Sequence, residues 1–384
     1  MKRYEWEPMA DQSHRPEWVP AEGGDAFATQ VTPGVEGGHD GMSTKSRRTA
    51  GGASRPRRRR LTNDEYVHGV LEGNRTILAR TITLVESNAQ AHVEQGQEVL
   101  RQLMPHTGRS IRVGITGVPG VGKSTFIEAL GCLLCDRGHR VAVLAVDPSS
   151  SVTRGSILGD KTRMEQLARR PEAFIRPSPS AGTLGGVARK SRETILVCEA
   201  AGFDVILVET MGVGQSEITV RSMVDFFMLL MLTGAGDELQ GIKKGVIEMA
   251  DALLINKADG DNKLRAQAAK ADYMQALHYL ASTTQGWRPQ VETCSALTGE
   301  GIAAAWKLVE QFCQITTESG GFAERRRSQT LDWVNTLIEE YLRTSFFQHP
   351  AIVEQIPQIK AAVADGTMPA TAAAQALVRV FESR

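Results

Sequence analysis

The residues from 117 to 124 read Gly-Val-Pro-Gly-Val-Gly-Lys-Ser, a spacing typical of loops that bind the phosphates of a nucleotide. Glycine lets backbone amides approach the phosphates, because no Cβ atom stands in the way. Lys123 would place a positive charge at the β- and γ-phosphates, and the Ser124 hydroxyl is suited to bind Mg²⁺. The loop therefore predicts a site for a nucleoside triphosphate and Mg²⁺, formed by Gly117, Val118, Pro119, Gly120, Val121, Gly122, Lys123, Ser124 and Thr125.

The segments on either side of this loop are those that the motif requires. Residues 111–116 form a short β-branched run, as expected of a buried parallel strand. Residues 125–134 carry apolar side chains at helical spacing. The start of such a helix presents unpaired amides and the positive end of the helix dipole to an anion. This context favours a true phosphate-binding loop over a chance glycine turn.

A second motif, Asn-Lys-Ala-Asp from 256 to 259, indicates which base the nucleotide carries. The Asp259 carboxylate can accept hydrogen bonds from N1–H and from the exocyclic amine of guanine, a donor pair that adenine lacks. The segment after the last predicted strand would supply a backbone N–H to the guanine O6. The predicted guanine site therefore comprises Asn256, Lys257, Asp259, Ser295, Ala296 and Leu297.

Acidic residues end two other predicted strands, at the edge of the sheet where α/β proteins bind their ligands. Asp147 ends the second strand and Glu209 ends the third. A carboxylate beside a phosphate-binding loop can hold Mg²⁺, directly or through water, or orient an attacking water. Gly212, shortly after Glu209, would turn its amide toward a γ-phosphate and so couple that phosphate to loop order. The alternative for either carboxylate is an ordinary acidic residue in a strand-end turn.

Composition argues against several classes of protein. Lys+Arg and Asp+Glu number 44 each, so the global charge indicates neither nucleic acid nor a membrane surface as partner. The longest apolar stretch, near residues 226–233, is about half of the ~20 residues that a bilayer span requires, and it predicts a central strand. Five scattered cysteines suit a reducing cytoplasm, where we expect the protein. For Cys132 and Cys135 we favour buried packing over metal binding or redox chemistry.

The order of the predicted elements favours an α/β fold. Continuous apolar character predicts a P-loop NTPase fold with a mostly parallel sheet covered by helices on both faces. The predicted strands are 111–116, 140–146, 203–208, 225–232, 251–255 and 290–294.

Four regions follow from these patterns. In residues 1–60, the part up to position 41 carries eight acidic and three basic residues, and the rest carries eight basic and no acidic residues. Such a segment cannot bury enough apolar surface to offset the entropy lost on ordering. Met42, between these two parts, is a candidate start of the natural chain. The predicted regions are a disordered tail (1–60), an N-terminal helical extension (61–108), a nucleotide-binding G domain (109–318) and a C-terminal helical dimerisation arm (319–384).

Five blocks of the sequence match one known family: 117–125, 145–150, 155–164, 208–217 and 236–245. At these residues the chain resembles the methylmalonyl-CoA mutase-associated G proteins, also called arginine/ornithine-transport ATPases. The resemblance runs from about Asn63 to the C-terminus. It implies a homodimeric GTPase of the class that includes signal-recognition and metal-insertion G proteins.

The resemblance also implies a partner and further site residues. Such proteins bind an adenosylcobalamin-dependent acyl-CoA mutase, methylmalonyl-CoA mutase above all, gate its cofactor loading and protect it from inactivation. The implied Mg²⁺ and switch residues are Asp147, Asp160 and Glu209, together with Ser124. A third switch at 236–245 would bring Lys243 or Lys244 to the nucleotide, where a lysine would act like an arginine finger. The implied catalytic residues are Lys123, Asp147, Asp160, Glu209 and Lys243.

The chain departs from the family pattern at Arg154, usually glycine, and at Met211, usually valine. Three alternatives remain open. A metal-insertion GTPase of the hydrogenase or urease type should carry a His- or Cys-rich N-terminal tract, but residues 1–60 hold no cysteine and only His14 and His39. A transport-linked kinase would need a phosphorylated protein acceptor. A binding module would hold GTP as structure without turnover.

Overall fold

The computed structural model of this chain describes residues 61–146, 164–177, 184–210, 216–233, 244–279 and 284–382. The predicted tail at 1–60 therefore lies outside the described residues. None of the helices within these ranges has the length and apolarity that a bilayer crossing requires.

A seven-stranded sheet forms the centre of the fold, and every pairing between its strands is parallel. The order across the sheet is β3-β2-β4-β1-β5-β6-β7. This confirms the predicted α/β class. The strands are β1 (Ile111–Gly117), β2 (Val141–Val146), β3 (Ala173–Arg176), β4 (Val205–Thr210), β5 (Phe226–Met231), β6 (Ala252–Ile255) and β7 (Gln290–Thr293).

Thirteen α-helices surround or extend this sheet in the described residues. The first six are α1 (Asn63–Leu71), α2 (Arg75–Val85), α3 (Gln90–Leu103), α4 (Lys123–Asp136), α5 (Glu165–Ala168) and α6 (Leu184–Ala200). The remaining seven are α7 (Ser216–Arg221), α8 (Lys244–Met249), α9 (Lys263–His278), α10 (Ile302–Glu318), α11 (Gly321–Phe347), α12 (Pro350–Ala364) and α13 (Ala370–Glu382).

Both faces of the sheet are buried, which explains why its strands read as continuous apolar runs. In β5, Phe226, Met228 and Leu230 face the core layer that contains α4 and α10. The alternate residues of the same strand face the layer that contains α1 to α3 and α6. Since β5 lies between β1 and β6, the prediction of a central strand near 226–233 is confirmed.

Polar side chains cap the first two helices before the sheet. Thr62 caps α1, its hydroxyl accepting from the Glu65 amide while the Glu65 carboxylate accepts from the Thr62 amide, as in a capping box. Asn74 caps α2 through its side-chain oxygen, which accepts from the amides of Thr76 and Ile77.

Two cysteines of the C-x-x-C pattern lie in α4, where Cys135 is buried and Cys132 is half-buried. Burial raises the pKa of the Cys135 thiol to about 11. A thiol with so high a pKa is a weak metal ligand and a weak nucleophile at neutral pH. The geometry thus agrees with the packing role that we favoured from the sequence.

Two consecutive arginines fasten α11 to the amino ends of the central strands. The Arg325 guanidinium donates two hydrogen bonds to the buried Asp251 carboxylate, at 3.0 Å each, just before β6. Arg326 donates in the same way to the buried Asp225, at 2.7 and 2.6 Å, just before β5. Bidentate pairs of this kind fix orientation as well as distance.

Arg325→Ala is expected to destabilise the folded protein by about 3 kcal/mol, because it leaves the Asp251 carboxylate buried without its main cationic partner. The urea midpoint and the apparent melting temperature measure this loss. Arg327→Ala, which removes an exposed arginine two positions further along α11, is the matched control and should change the stability by less than about 0.5 kcal/mol. Equal effects of the two substitutions would contradict the proposed anchoring.

Candidate functional site: a nucleotide pocket at the carboxyl edge of the sheet

The phosphate-binding loop joins the end of β1 to the start of α4, as the motif requires. Its backbone follows a path that only glycine takes readily: φ is 151° at Gly117 and 95° at Gly122, the cap of α4. A Cβ atom at Gly117 would lie 2.5 Å from the Leu230 carbonyl oxygen, and one at Gly122 would lie 2.8 Å from Nδ2 of Asn256. Close packing against β5 and Asn256 therefore disfavours larger residues at both positions.

Lys123 lies in the first turn of α4 and its side chain turns back over the loop. Its Nζ donates to the Gly117 carbonyl at 2.9 Å and to the Val118 carbonyl at 3.4 Å. Burial lowers the pKa of Lys123 from its ordinary value, and the negative charges of Glu209 and Glu217 oppose that shift. A partly desolvated ammonium group interacts more strongly with an added phosphate charge than an exposed one.

The next residue, Ser124, connects the loop to β4. Its hydroxyl donates to Oε1 of Glu209 at 2.9 Å. Glu209 is almost fully buried near the end of β4, which lies beside β1 in the sheet. A hydroxyl and a carboxylate side by side are oxygen donors of the kind that Mg²⁺ prefers, so the described residues fit this ion.

Beneath this pair, Thr210 donates a hydrogen bond from its hydroxyl to the Thr116 hydroxyl at 2.8 Å. Both residues are buried, and they join the ends of β4 and β1. We did not predict this contact, because two threonines that are 94 positions apart give no local sign of their proximity. It holds the loop and Glu209 in a fixed relation.

Asn256 joins the phosphate loop to the predicted base-recognition segments. Its Nδ2 donates to the Val121 carbonyl at 2.8 Å, and its Oδ1 accepts from the Ala296 amide at 3.0 Å. The side chain is buried and follows β6 directly. Asn256 is thus placed as a connector between the two halves of the pocket.

Asp259 is held by the segment after β7. The Ser295 hydroxyl donates to its Oδ2, and the Thr298 amide donates to the same hydroxyl at 3.2 Å. Lys257, between the two motif residues, has a positive φ of 60° for a non-glycine residue, which turns the chain sharply after β6. Ser295 therefore orients the carboxylate that we predicted to contact guanine.

Most backbone amides around Ala296 donate hydrogen bonds to acceptors within the protein. Those of Ser295, Ala296 and Gly299 donate to Glu300, Asn256 and Ser295, respectively. In the described part of this segment, the Leu297 amide is the one without a protein acceptor, and the residue is 83% exposed. If the segment contacts the guanine O6 as predicted, Leu297 is its best placed donor.

The described residues bring together most of the predicted site. Lys123, Ser124 and Glu209 meet at one end of the pocket, and the Asn256 and Ser295 segments meet at the other. Within the described ranges no group of three or more His, Cys, Asp or Glu side chains is placed to hold a metal ion. The predicted residues Asp147, Asp160 and Lys243 lie outside those ranges, as do Arg154, Met211 and Gly212, and the side chain of Lys244 is not described.

A parallel sheet with this loop at its edge and the Asn-Lys-Ala-Asp segment beside it defines a P-loop nucleotide-binding protein. The family model described as methylmalonyl-CoA mutase-associated GTPase MeaB matches residues 78–351. The chain belongs to this family and is a GTPase that binds guanine nucleotides.

Individual relatives agree with this assignment. A Caulobacter vibrioides protein named as a GTPase is 52% identical over 321 residues, which cover 84% of this chain and 98% of that protein. The mitochondrial methylmalonic aciduria type A homolog of Mus musculus is 46% identical over 331 residues, covering 84% of this chain and 80% of that protein. A crystal structure of a LAO/AO transport system kinase is 39% identical with a TM-score of 0.69, covering 84% of this chain and 98% of that one.

Proposed function

We propose that this GTPase is a G-protein chaperone of an adenosylcobalamin-dependent acyl-CoA mutase, methylmalonyl-CoA mutase above all. GTP binding and hydrolysis would gate cofactor loading and protect the mutase from inactivation. The family match over residues 78–351 carries this proposal, since that family is described by its association with methylmalonyl-CoA mutase. The mouse relative named for methylmalonic aciduria supports it.

The pocket supports definite roles for its residues in hydrolysis. Lys123 would neutralise charge on the β- and γ-phosphates, and the α4 amides would bind the same oxygens. Ser124 and Glu209, with Asp147 and Asp160, would hold Mg²⁺, which supplies further positive charge at the phosphates when bound. Lys243 would complete the charge stabilisation from the third switch.

Recognition of the base would fall to the far end of the pocket. Asp259 would accept from N1–H and the amine of guanine, with Lys257 beside the ring and the Ser295–Leu297 segment at O6. Asn256 would hold this end at a fixed distance from the phosphates through its contacts with Val121 and Ala296.

The five cysteines are free thiols in the structure, which suits the reducing cytoplasm that we expect for the protein.

We further propose that the protein is a homodimer formed through α11. This helix exposes apolar side chains at alternating spacings of three and four, which is the pattern of helix-to-helix packing. These residues are between 46% and 71% exposed, an unusual amount for large apolar residues on one stripe. The stripe consists of Leu331, Val334, Ile338 and Tyr341, and Leu342 adjoins it four positions after Ile338.

Ile338→Asp should weaken this dimer at least about thirtyfold, because it places a charge at the centre of the apolar stripe. Sedimentation equilibrium measures the dissociation constant. Thr336→Asp adds the same charge about 160° around the helix and serves as the control. A dimer that survives Ile338→Asp unchanged would show that another surface forms it.

The mutase role is tested by measuring GTP turnover with and without methylmalonyl-CoA mutase, in its apo form and with adenosylcobalamin. We expect the mutase to bind the GTPase and to increase its GTP turnover at least about tenfold. The reason is that Lys243, brought to the nucleotide in the complex, would neutralise charge in the transition state. Lys123→Ala is the control for turnover that does not come from this pocket. Absence of any complex with the mutase would contradict the proposal.

The transport-linked kinase is the second candidate, because the similar crystal structure is described as a transport system kinase. The same samples distinguish it. Transfer of the γ-phosphate from GTP to a protein acceptor would support a kinase, whereas release of inorganic phosphate alone supports the chaperone.

A further inference from the structure

Lys257 is the one described non-glycine residue whose backbone lies in the left-handed region, with φ at 60°. A residue with a Cβ atom adopts this region at a cost in free energy, so contacts around it must hold it there. Lys257 stands between Asn256 and Asp259, which belong to the two halves of the pocket. The contacts that hold this turn therefore determine where the predicted base contacts lie.

Asn262 holds this turn from the segment that follows it. Its Nδ2 donates to the Lys257 carbonyl at 2.7 Å, and its backbone amide donates to the Asp259 carbonyl at 3.0 Å. A carbonyl oxygen can only accept, so the first contact also fixes which end of the Asn262 side chain faces the turn. Asn262 thus bonds to both residues that we expect beside the base.

A threonine from the neighbouring strand fixes the other end of the same side chain. The Thr233 hydroxyl donates to Oδ1 of Asn262 at 2.7 Å. Thr233 follows the end of β5 by two residues, and β5 pairs with β6, the strand directly before the Asn-Lys-Ala-Asp segment. Asn262 is therefore joined to the end of the sheet on one side and to the Lys257 turn on the other.

The usual reason for an asparagine at this position is helix capping, since Asn262 comes directly before α9. A capping asparagine has an extended backbone, and its side-chain oxygen accepts from amides of the first turn. Asn262 instead has a right-handed helical backbone, and its side chain makes no cap hydrogen bond to α9, which the structure describes over its whole length. The Asn262 side chain therefore serves the Lys257 turn and not the helix.

We propose that Asn262 and Thr233 are positioning residues for guanine recognition, which hold Lys257 and Asp259 in place before the nucleotide binds. This role rests on the proposed function, which assigns the base contacts to Lys257 and Asp259. A pocket that is already arranged loses less free energy to the ordering of its loop on binding. The phosphate contacts lie on the loop and on other elements, so the effect falls on binding of the base and not on hydrolysis of bound GTP.

The test measures the dissociation constants of Asn262→Ala for GTP and for ATP, by competition with a fluorescent guanine nucleotide. We expect GTP to bind about five- to fiftyfold more weakly, because two hydrogen bonds of the turn are lost. ATP lacks the donor pair that Asp259 would accept, so its dissociation constant should change by less than about twofold. In hydrolysis, KM for GTP should rise while kcat stays within about twofold.

Asn262→Asp separates positioning from a role in folding. An aspartate still accepts from the Thr233 hydroxyl, and its negative charge suits the start of α9, so the melting temperature should not fall. It cannot donate to the Lys257 carbonyl, so the preference for GTP over ATP should fall as in Asn262→Ala. Unimpaired stability together with impaired base preference is not what a merely structural residue produces.

Thr233 is tested with a matched pair of substitutions. Thr233→Val keeps the shape of the side chain but removes the hydroxyl, and should weaken GTP binding about three- to tenfold. Thr233→Ser keeps a hydroxyl and should restore most of that loss. Asp261→Ala removes an exposed carboxylate of the same turn and should leave both dissociation constants within about twofold.

The proposal is overturned if Asn262→Ala and Thr233→Val both keep the preference for GTP over ATP of the unaltered protein. It is also overturned if both variants lose equal affinity for ATP, since the damage would then lie outside base recognition. Asp259→Asn shows which assignment has failed. If this substitution alone changes the base preference, only the role of Asn262 and Thr233 is contradicted. If none of the three changes it, the assignment of the base contacts is contradicted as well.

Discussion

Lys123→Ala is expected to lower the affinity for GTP by about two to three orders of magnitude, with a parallel loss of hydrolysis at subsaturating GTP. The ammonium group is held over the loop by the Gly117 and Val118 carbonyls, so its charge is already positioned where the phosphates bind. Removing one partner of a partly buried, hydrogen-bonded charge pair costs about 2–5 kcal/mol of binding free energy. Titration calorimetry with GTP and GDP measures the loss.

The control is Lys270→Ala, which removes a lysine of α9 that pairs with Glu292 away from the loop. It should leave the dissociation constant for GTP within about twofold, because a partly exposed ion pair contributes little. A Lys123→Ala protein that binds GTP as tightly as Lys270→Ala does would show that the phosphates bind elsewhere.

Asp259→Asn should change which base the pocket prefers. The carboxylate can accept two hydrogen bonds from guanine, whereas an asparagine amide accepts one and donates one, which matches N1–H and the C2 oxygen of xanthine. Pockets built around hydrogen bonds discriminate by about 10⁴-fold against a base that leaves a buried group unpaired. We therefore expect the preference for GTP over XTP to fall by about that factor, as measured by competition binding.

Ser295→Ala provides the matched control, since it removes the hydroxyl that orients Asp259 but leaves the carboxylate in place. We expect weaker binding of GTP, about three- to tenfold, without a change of base preference. If Asp259→Asn still selected GTP unchanged, the assignment of the guanine contact to this residue would be wrong.

Much of the pocket could be predicted from short stretches of sequence. The phosphate loop, the strand before it and the helix after it are defined by residues close to each other in the chain, and each forms as predicted. The same is true of the apolar run that became β5. Local motifs of this kind depend on backbone geometry over a few residues, and the types of those residues determine that geometry.

One strand could not be predicted. Strand β3 has four residues and pairs with β2 alone, at the edge of the sheet. Strands β6 and β7 are equally short, but each comes directly before a predicted base-recognition segment, whereas no motif follows β3. The pairing of β3 with β2 is what makes it a strand. Its position therefore depended on the assembled sheet.

The sequence by itself determined the local chemistry of this protein: a triphosphate loop, a guanine motif and buried parallel strands. Only the tertiary structure decided how distant groups meet, as when Asn256 contacts Val121 across 135 positions, or when Arg325 reaches Asp251 and Arg326 reaches Asp225. In the sequence these arginines resemble ordinary surface charges. They become buried partners because the strand order brings the amino ends of β5 and β6 beneath α11, and no local propensity encodes that order.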